Sequence, residues 1–250
     1  MAMLISHIYE MLDSISPFSL QEAWDNSGLN IGNMHQEVES IHLALELDMK
    51  IARDLPPRAL IITHHPLIFA PLKAINTASY PAKLIEILLQ KQCALIAMHT
   101  NFDTTHLNAH FTREILGFAN AQAQGIAQMC EIEPTPISAL AMRCKNALKL
   151  EHIRYTRLDS RQKELEIHRV YVVCGSGASY AREILTPNSC LITGDVKYHD
   201  AMCAQCVDVG FIDVEHYASE REFAKILKSI LQIKHLNATI APNFSPFSYV

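Results

Sequence analysis

His64 and His65 stand side by side at the end of an apolar run, Ala59-Leu60-Ile61-Ile62-Thr63, and Pro66 follows them. Neutral imidazole is the commonest protein ligand for zinc, iron and their neighbours. Adjacent residues of a strand point to opposite faces, so these two rings can converge only where the strand ends and the backbone turns. Pro66 favours that geometry by holding His65 extended or in a turn and by removing a ladder donor. A second apolar run, Cys93 to Met98, delivers His99 and, four residues on, Asp103. A third, Phe211 to Val214, delivers His216 and Glu220, whose spacing of four places them on one face where a helix begins. Together these ends carry four imidazoles and two carboxylates. One catalytic zinc needs three protein ligands and a water, so six ligands suit two ions. A neutral imidazole cannot bridge two metals and a carboxylate can, which makes Asp103 or Glu220 the expected bridge.

The elements that must position these residues follow a strand–helix rhythm. Residues 4 to 12 form an amphipathic helix with Leu4, Ile8, Met11 and Leu12 on one side, broken at Ser16-Pro17. A strand over 41–47 and a helix over 50–55 precede Pro56-Pro57. The His64 strand, a helix over 81–91 and the His99 strand then make a βαβ unit of a parallel sheet. In such sheets ligands gather at the carboxyl ends of strands, where all three sets lie. A helix over 106–116 closes this half at Gly117. Residues 119–168 read as short strands and turns, with Pro134 and Pro136 near a boundary. Three more strands follow, 169–174, 190–193 and 211–214, and a helix runs through Leu231. The fold class is therefore α/β, with a domain over 1–125 and another over 126–250, the C-terminal segment free to pack back on the first.

Other features carry less. Trp24-Asp25-Asn26-Ser27-Gly28 reads as a tight turn with Trp24 plugging the core. Gly175-Ser176-Gly177, between strand and helix, could bring backbone N–H groups to a phosphate. Two glycines are a weak signal for that. Arg154, Arg157, Arg161, Lys163 and Arg169 alternate with Asp159, Glu164 and Glu166, the pattern of a solvated face. Cys203-Ala204-Gln205-Cys206 has no second pair to complete a zinc ribbon, so its thiols are expected to pack on one side of a helix.

Composition excludes several classes. In the 250 residues the hydrophobic fraction is 49% and the charged fraction 19%, which suits a compact enzyme and not a disordered chain. A net charge of −5 and a pI of 6.2 argue against nucleic acid or an anionic membrane as partner. No apolar run approaches the roughly 18 residues of a membrane span. Glu10 and Asp13 stand where a signal peptide would carry basic residues, so the cytoplasm is the expected compartment. Seven scattered cysteines fit reduced thiols there.

Five stretches resemble the NIF-three-like family, the GTP cyclohydrolase 1 type 2 homologues. They are Trp24-Asp25-Asn26-Ser27-Gly28-Leu29, Thr63-His64-His65-Pro66-Leu67-Ile68-Phe69, His99-Thr100-Asn101-Phe102-Asp103, Ile192-Thr193-Gly194-Asp195-Val196-Lys197-Tyr198-His199 and His216-Tyr217-Ala218-Ser219-Glu220. They run the length of the chain in the family's order. The resemblance implies two related αβ domains, with mixed or parallel sheets, facing across a dimetal cleft, and a homohexameric ring. It puts the family's metal ligands on His64, His65, His99, Asp103, His216 and Glu220. It implies GTP as substrate, with hydroxide held by the metals attacking purine C8 and formate leaving. His199 and His106 are candidates to shuttle protons, and Lys197 to meet a triphosphate. Zinc, iron, manganese and nickel all suit this ligand set. One departure is visible: the family has a glycine pair after the aspartate, and here His106-Leu107 precede Asn108. This is also the family's short form, with no inserted central domain. Two other classes fit the same residues, a nucleotide phosphoester hydrolase and a metal-binding assembly or adaptor protein without turnover.

Overall fold

The structure, a computed structural model, describes residues 2–159, 161, 163–184 and 186–248. These form two compact units. The first comprises Met1–Thr105 and Arg221–Phe244, and the second His106–Glu220 and Ser245–Val250. The second is thus inserted into the chain of the first. The sequence suggests a division near residue 125 with a returning C-terminal segment; the units divide at 105/106 and 220/221.

In the first unit, β1 (Met3–Leu4) pairs antiparallel with β3 (Glu37–Val38). The main sheet has β4 (Ser40–Ala44), β5 (Ala59–Thr63) and β6 (Ala94–Ala97) parallel at its centre. The antiparallel β2 (Gly28–Ile31) forms one edge, and Thr239–Ile240 forms the other, parallel to β4. Every residue of β5 and β6 is buried, as an apolar run covered on both faces must be. Helix Ala82–Gln90 is the crossover between them and buries Leu84, Ile85 and Leu88 against Ile61 and Leu95. Each such side chain contributes about 1.5–3 kcal/mol. Helix Met49–Asp54 starts where Asp48 accepts the Ile51 N–H at 2.7 Å. Lys91 Nζ donates to the last carbonyls of that helix, Ala52, Arg53 and Leu55.

The second unit has a sheet ordered β7-β8-β10-β11-β12-β9. Its parallel centre is β10 (Glu166–Val172), β11 (Ser189–Thr193) and β12 (Val209–Asp213). The antiparallel strands around it are β7 (Gln122–Gln124), β8 (Ala127–Pro136) and β9 (Arg154–Tyr155). Tyr171, Val173, Tyr180, Leu191 and Phe211 form a core here. Both sheets are mixed with parallel centres, the α/β class read from the sequence.

Two expectations need correction. The helix placed at 106–116 begins at Thr100: short α and π turns follow one another from Thr100–Phe102 and Asp103–Leu107 to Phe111–Ile115. Residues 119–168 contain a 12-residue helix, Ile137–Leu148, which buries Ile137, Leu140, Ala141, Cys144 and Leu148. The prolines taken for a boundary precede that helix. Pro134 lies beyond the part of β8 that pairs with β7, so one of its flanks is free of a ladder, and Pro136 caps the helix. No helix among the described residues is long and apolar enough to cross a membrane.

Candidate functional site

The ends of β5 and β6 are stitched together. Met98 N–H donates to the Thr63 carbonyl at 2.8 Å, and His64 N–H and His65 N–H both donate to the Leu45 carbonyl at 3.0 Å. Two successive amides aimed at one carbonyl mean that the strand has turned. Thr63 Oγ1 fixes the turn by donating to the His65 carbonyl at 2.8 Å. Both imidazoles therefore fall on one side. The rings of His64, His65 and His99 lie with centroids 5.1 to 5.6 Å apart, and one nitrogen from each lies within 4.8 Å of the others. Asp103 Oδ1 is 3.5 Å from His64 Nε2, and both residues are buried. The four ligands predicted in this unit are thus brought together.

The orientation of the rings suits metal binding. His64 Nδ1 lies 2.9 Å from the Met98 carbonyl, so it carries the proton and Nε2 keeps its lone pair. His99 Nδ1 lies 2.8 Å from Asp25 Oδ1, with the same consequence. The other Asp25 oxygen accepts from Ser27 Oγ at 2.9 Å, Thr100 N–H at 3.1 Å and Thr100 Oγ1 at 2.6 Å. Burial alone would raise the pKa of Asp25; its hydrogen bonds with His99 and Thr100 outweigh it and hold the carboxyl well below its usual range. Asp25, which the sequence does not single out, contacts the candidate ligand His99, and the tight turn around it aims its carboxylate at that ring. Trp24 is not a core plug: it is 58% exposed and lies 6.0 Å from the His99 ring.

The second unit repeats the device. Helix His216–Glu220 starts after Glu215, whose φ is +66°. His216 Nε2 is 3.0 Å from Glu220 Oε2, and His216 Nδ1 is 2.7 Å from Asp195 Oδ2. Asp195 was likewise not picked out. The glycines of this unit make room for that pair. A Cβ at Gly175, where φ is +63°, would overlap Glu220 Oε1; one at Gly194 would meet the His216 nitrogen at 2.6 Å. Gly177 leaves space for Val173 and Thr193, so close packing accounts for Gly175-Ser176-Gly177 without a phosphate.

The remaining candidates lie in the second unit. Lys197 and His199 are exposed at the start of helix Tyr198–Gln205. His106 is half-buried in the second unit, and burial lowers its pKa. Cys203 and Cys206 are exposed and not packed along the helix as expected; the buried residue of helix Tyr198–Gln205 is Ala204. In the basic segment Arg154 pairs with Asp213, Arg161 with Asp159 and Arg169 with Glu131, so its charge is largely neutralised in place.

Comparison with known proteins bears on the chain as a whole. The model of the Duf34/NIF3 (NGG1p interacting factor 3) family matches residues 3–246. A Helicobacter pylori protein named GTP cyclohydrolase 1 type 2 is 43% identical over 247 residues, covering 99% of both chains. A Campylobacter jejuni GTP cyclohydrolase 1 type 2 homolog is 36% identical, covering 99% of this chain and 100% of its own. Among solved structures, a Bacillus cereus protein related to NIF3 superposes with a TM-score of 0.81 at 18% identity, over 99% of each chain.

Proposed function

Since the chain belongs to the Duf34/NIF3 family, we propose that it is a dinuclear-metal-dependent hydrolase whose reaction is opening of the GTP purine ring at C8 with release of formate. The observation that carries this is the cluster of His64, His65 and His99, with an Nδ1 of two rings pinned by Met98 and Asp25 so that Nε2 is presented. Such a set fits a borderline divalent ion, zinc, iron, manganese or nickel. His64, His65, His99 and Asp103 supply one group of ligands, and His216 and Glu220 the other, six for two ions. Bound there, the ions would lower the pKa of a water and neutralise charge developing on oxygen.

The chain's own residues set the conditions for that chemistry. Asp25 and Asp195 keep a proton on Nδ1 of His99 and His216 and so fix which nitrogen faces the ion. His106, its pKa depressed by burial, is neutral at pH 7 and suited to accept a proton. His199 is a second proton carrier, and the exposed Lys197 is suited to a triphosphate. The protein acts in the cytoplasm as a homohexameric ring, on a nucleotide and not on nucleic acid or a membrane. Names of relatives, which call them GTP cyclohydrolase 1 type 2, support the substrate.

The test is formate release from GTP by reconstituted protein, with ions per subunit measured on the same samples. Wild type should bind two ions and release formate. His65→Ala and Asp103→Ala should lose most activity while keeping the far-UV spectrum. Release of inorganic phosphate instead of formate would make the protein a phosphoester hydrolase. Activity surviving both substitutions would sink the proposal.

A further inference from the structure

Trp24 is the only tryptophan of the chain, and it lies 58% exposed with Phe69 beside it at 55%. Rings of this size are usually spent on a core. Here their centroids are 5.8 Å apart at an interplanar angle of 47°. Both also flank the same metal-site imidazole: Trp24 lies 6.0 Å and Phe69 6.3 Å from His99, at 75° and 72°. The pair is held in place from beneath. The Asp25 carboxylate, next to Trp24, is locked by His99, Ser27 and Thr100. The Phe69 loop is tied to the same turn, since Asn26 Nδ2 donates to the Ile68 carbonyl at 2.5 Å and Ile68 N–H donates to Asn30 Oδ1 at 3.2 Å. A fixed, solvent-facing aromatic pair against a candidate metal ligand is a surface prepared for a flat partner. Sandwiching a ring needs about 7 Å between the flanking planes, twice a van der Waals contact, so a ligand would lie on the outer faces and not between them.

We propose that Trp24 and Phe69 form a stacking ledge that receives the planar heteroaromatic ring of the substrate beside His99 and sets the preference for a purine-like ring. The ledge rests on the hydrolase reading for the identity of that ring, and on the geometry alone for its being aromatic. A lone indole makes the site its own probe. Titration of the metal-loaded protein with guanosine or GTP should quench tryptophan emission saturably, whereas ribose 5-phosphate and inorganic triphosphate should not. Trp24→Leu and Phe69→Leu should each weaken GTP binding, measured by calorimetry, about 10-fold, the size of one lost base–aromatic stack. Bound metal should be retained in both, and Trp24→Phe should recover most of the affinity. Unchanged GTP affinity in both leucine variants would overturn the ledge. So would an indole that neither acrylamide nor nucleosides reach in the native assembly, which would place a second copy of the chain over it. Ring-dependent quenching without formate release keeps the ledge and removes the cyclohydrolase reaction. Formate release with an unchanged KM in the leucine variants does the reverse.

Discussion

Asp25 reaches His99 across 74 residues of sequence, and Asp195 reaches His216 across 21. Removing either carboxylate frees a ring to rotate and to choose the other tautomer. Asp25→Ala is therefore expected to weaken metal binding 10–100-fold in chelator competition, with the circular dichroism spectrum unchanged. Asp195→Ala should do the same, and should do so additively, because the two carboxylates share no partner in these contacts. An affinity equal to wild type in either variant would show that the ring is held by something else. Thiol labelling tests a different group of residues. Cys203 and Cys206 are exposed, and the other five cysteines are buried. Burial pushes Cys144 up to about 12 and Cys190 well above its ordinary value, and thiolate is the reactive form. A native-state titration should thus count two fast thiols, and denaturant should release the rest. The candidate ligands were legible in the sequence because each set begins where an apolar run ends. The orienting aspartates were not, because nothing local distinguishes a turn aspartate from one aimed at a distant ring. Trp24 misled for a related reason: hydrophobicity predicts burial, and a ring kept for contact with a ligand is the exception.

At the scale of the element, the strand–helix alternation was readable wherever an apolar run was short and sharply bounded, as in β5, β6, β11 and β12. Helix Ile137–Leu148 was missed although Ile137, Leu140, Ala141, Cys144 and Leu148 keep helical spacing. Pro134 and Pro136 stand immediately before that period, where prolines also mark a loop. Its end gives no signal either, since Lys149 occupies the left-handed C-cap position at φ +57° where glycine is usual. Before that helix, the run from Thr100 to Ile115 begins earlier than its sequence suggests, because the N-cap position is held by His99, which makes no side-chain cap hydrogen bond. The loop between β10 and helical turn Ala178–Arg182 offers a direct test of an element's role. In Gly175→Ala the new methyl would occupy the space of the Glu220 carboxylate in a left-handed backbone position. A loss of about 1–3 kcal/mol in denaturant unfolding is expected. An alanine variant as stable as wild type, with metal content unchanged, would show that Glu220 has room to move.

At the scale of the whole molecule, ions that bind only the folded chain stabilise it by mass action. Stripping them should lower the melting temperature, and restoring zinc or manganese at about 1,000 times its Kd should return about 4 kcal/mol. A melting curve indifferent to chelation would count against resident metal. The ring expected from the family's resemblance is checked by light scattering, where a monomer at micromolar concentration would exclude it. The connectivity of the two units has a further consequence, which concerns the ribosome. Residues 106–220 supply nearly all of the second unit in one continuous stretch, whereas Met1–Thr105 lack the helix Phe223–Ile233 and the edge strand Thr239–Ile240 until the last stretch is made. Synthesis proceeds at about 5–20 residues per second and domains fold as units. The body made second can therefore close first, while β4 waits several seconds with an open edge. His64, His65 and His99 are translated early, yet the unit that holds them is completed late, so the cluster they form is assembled only at the end of synthesis.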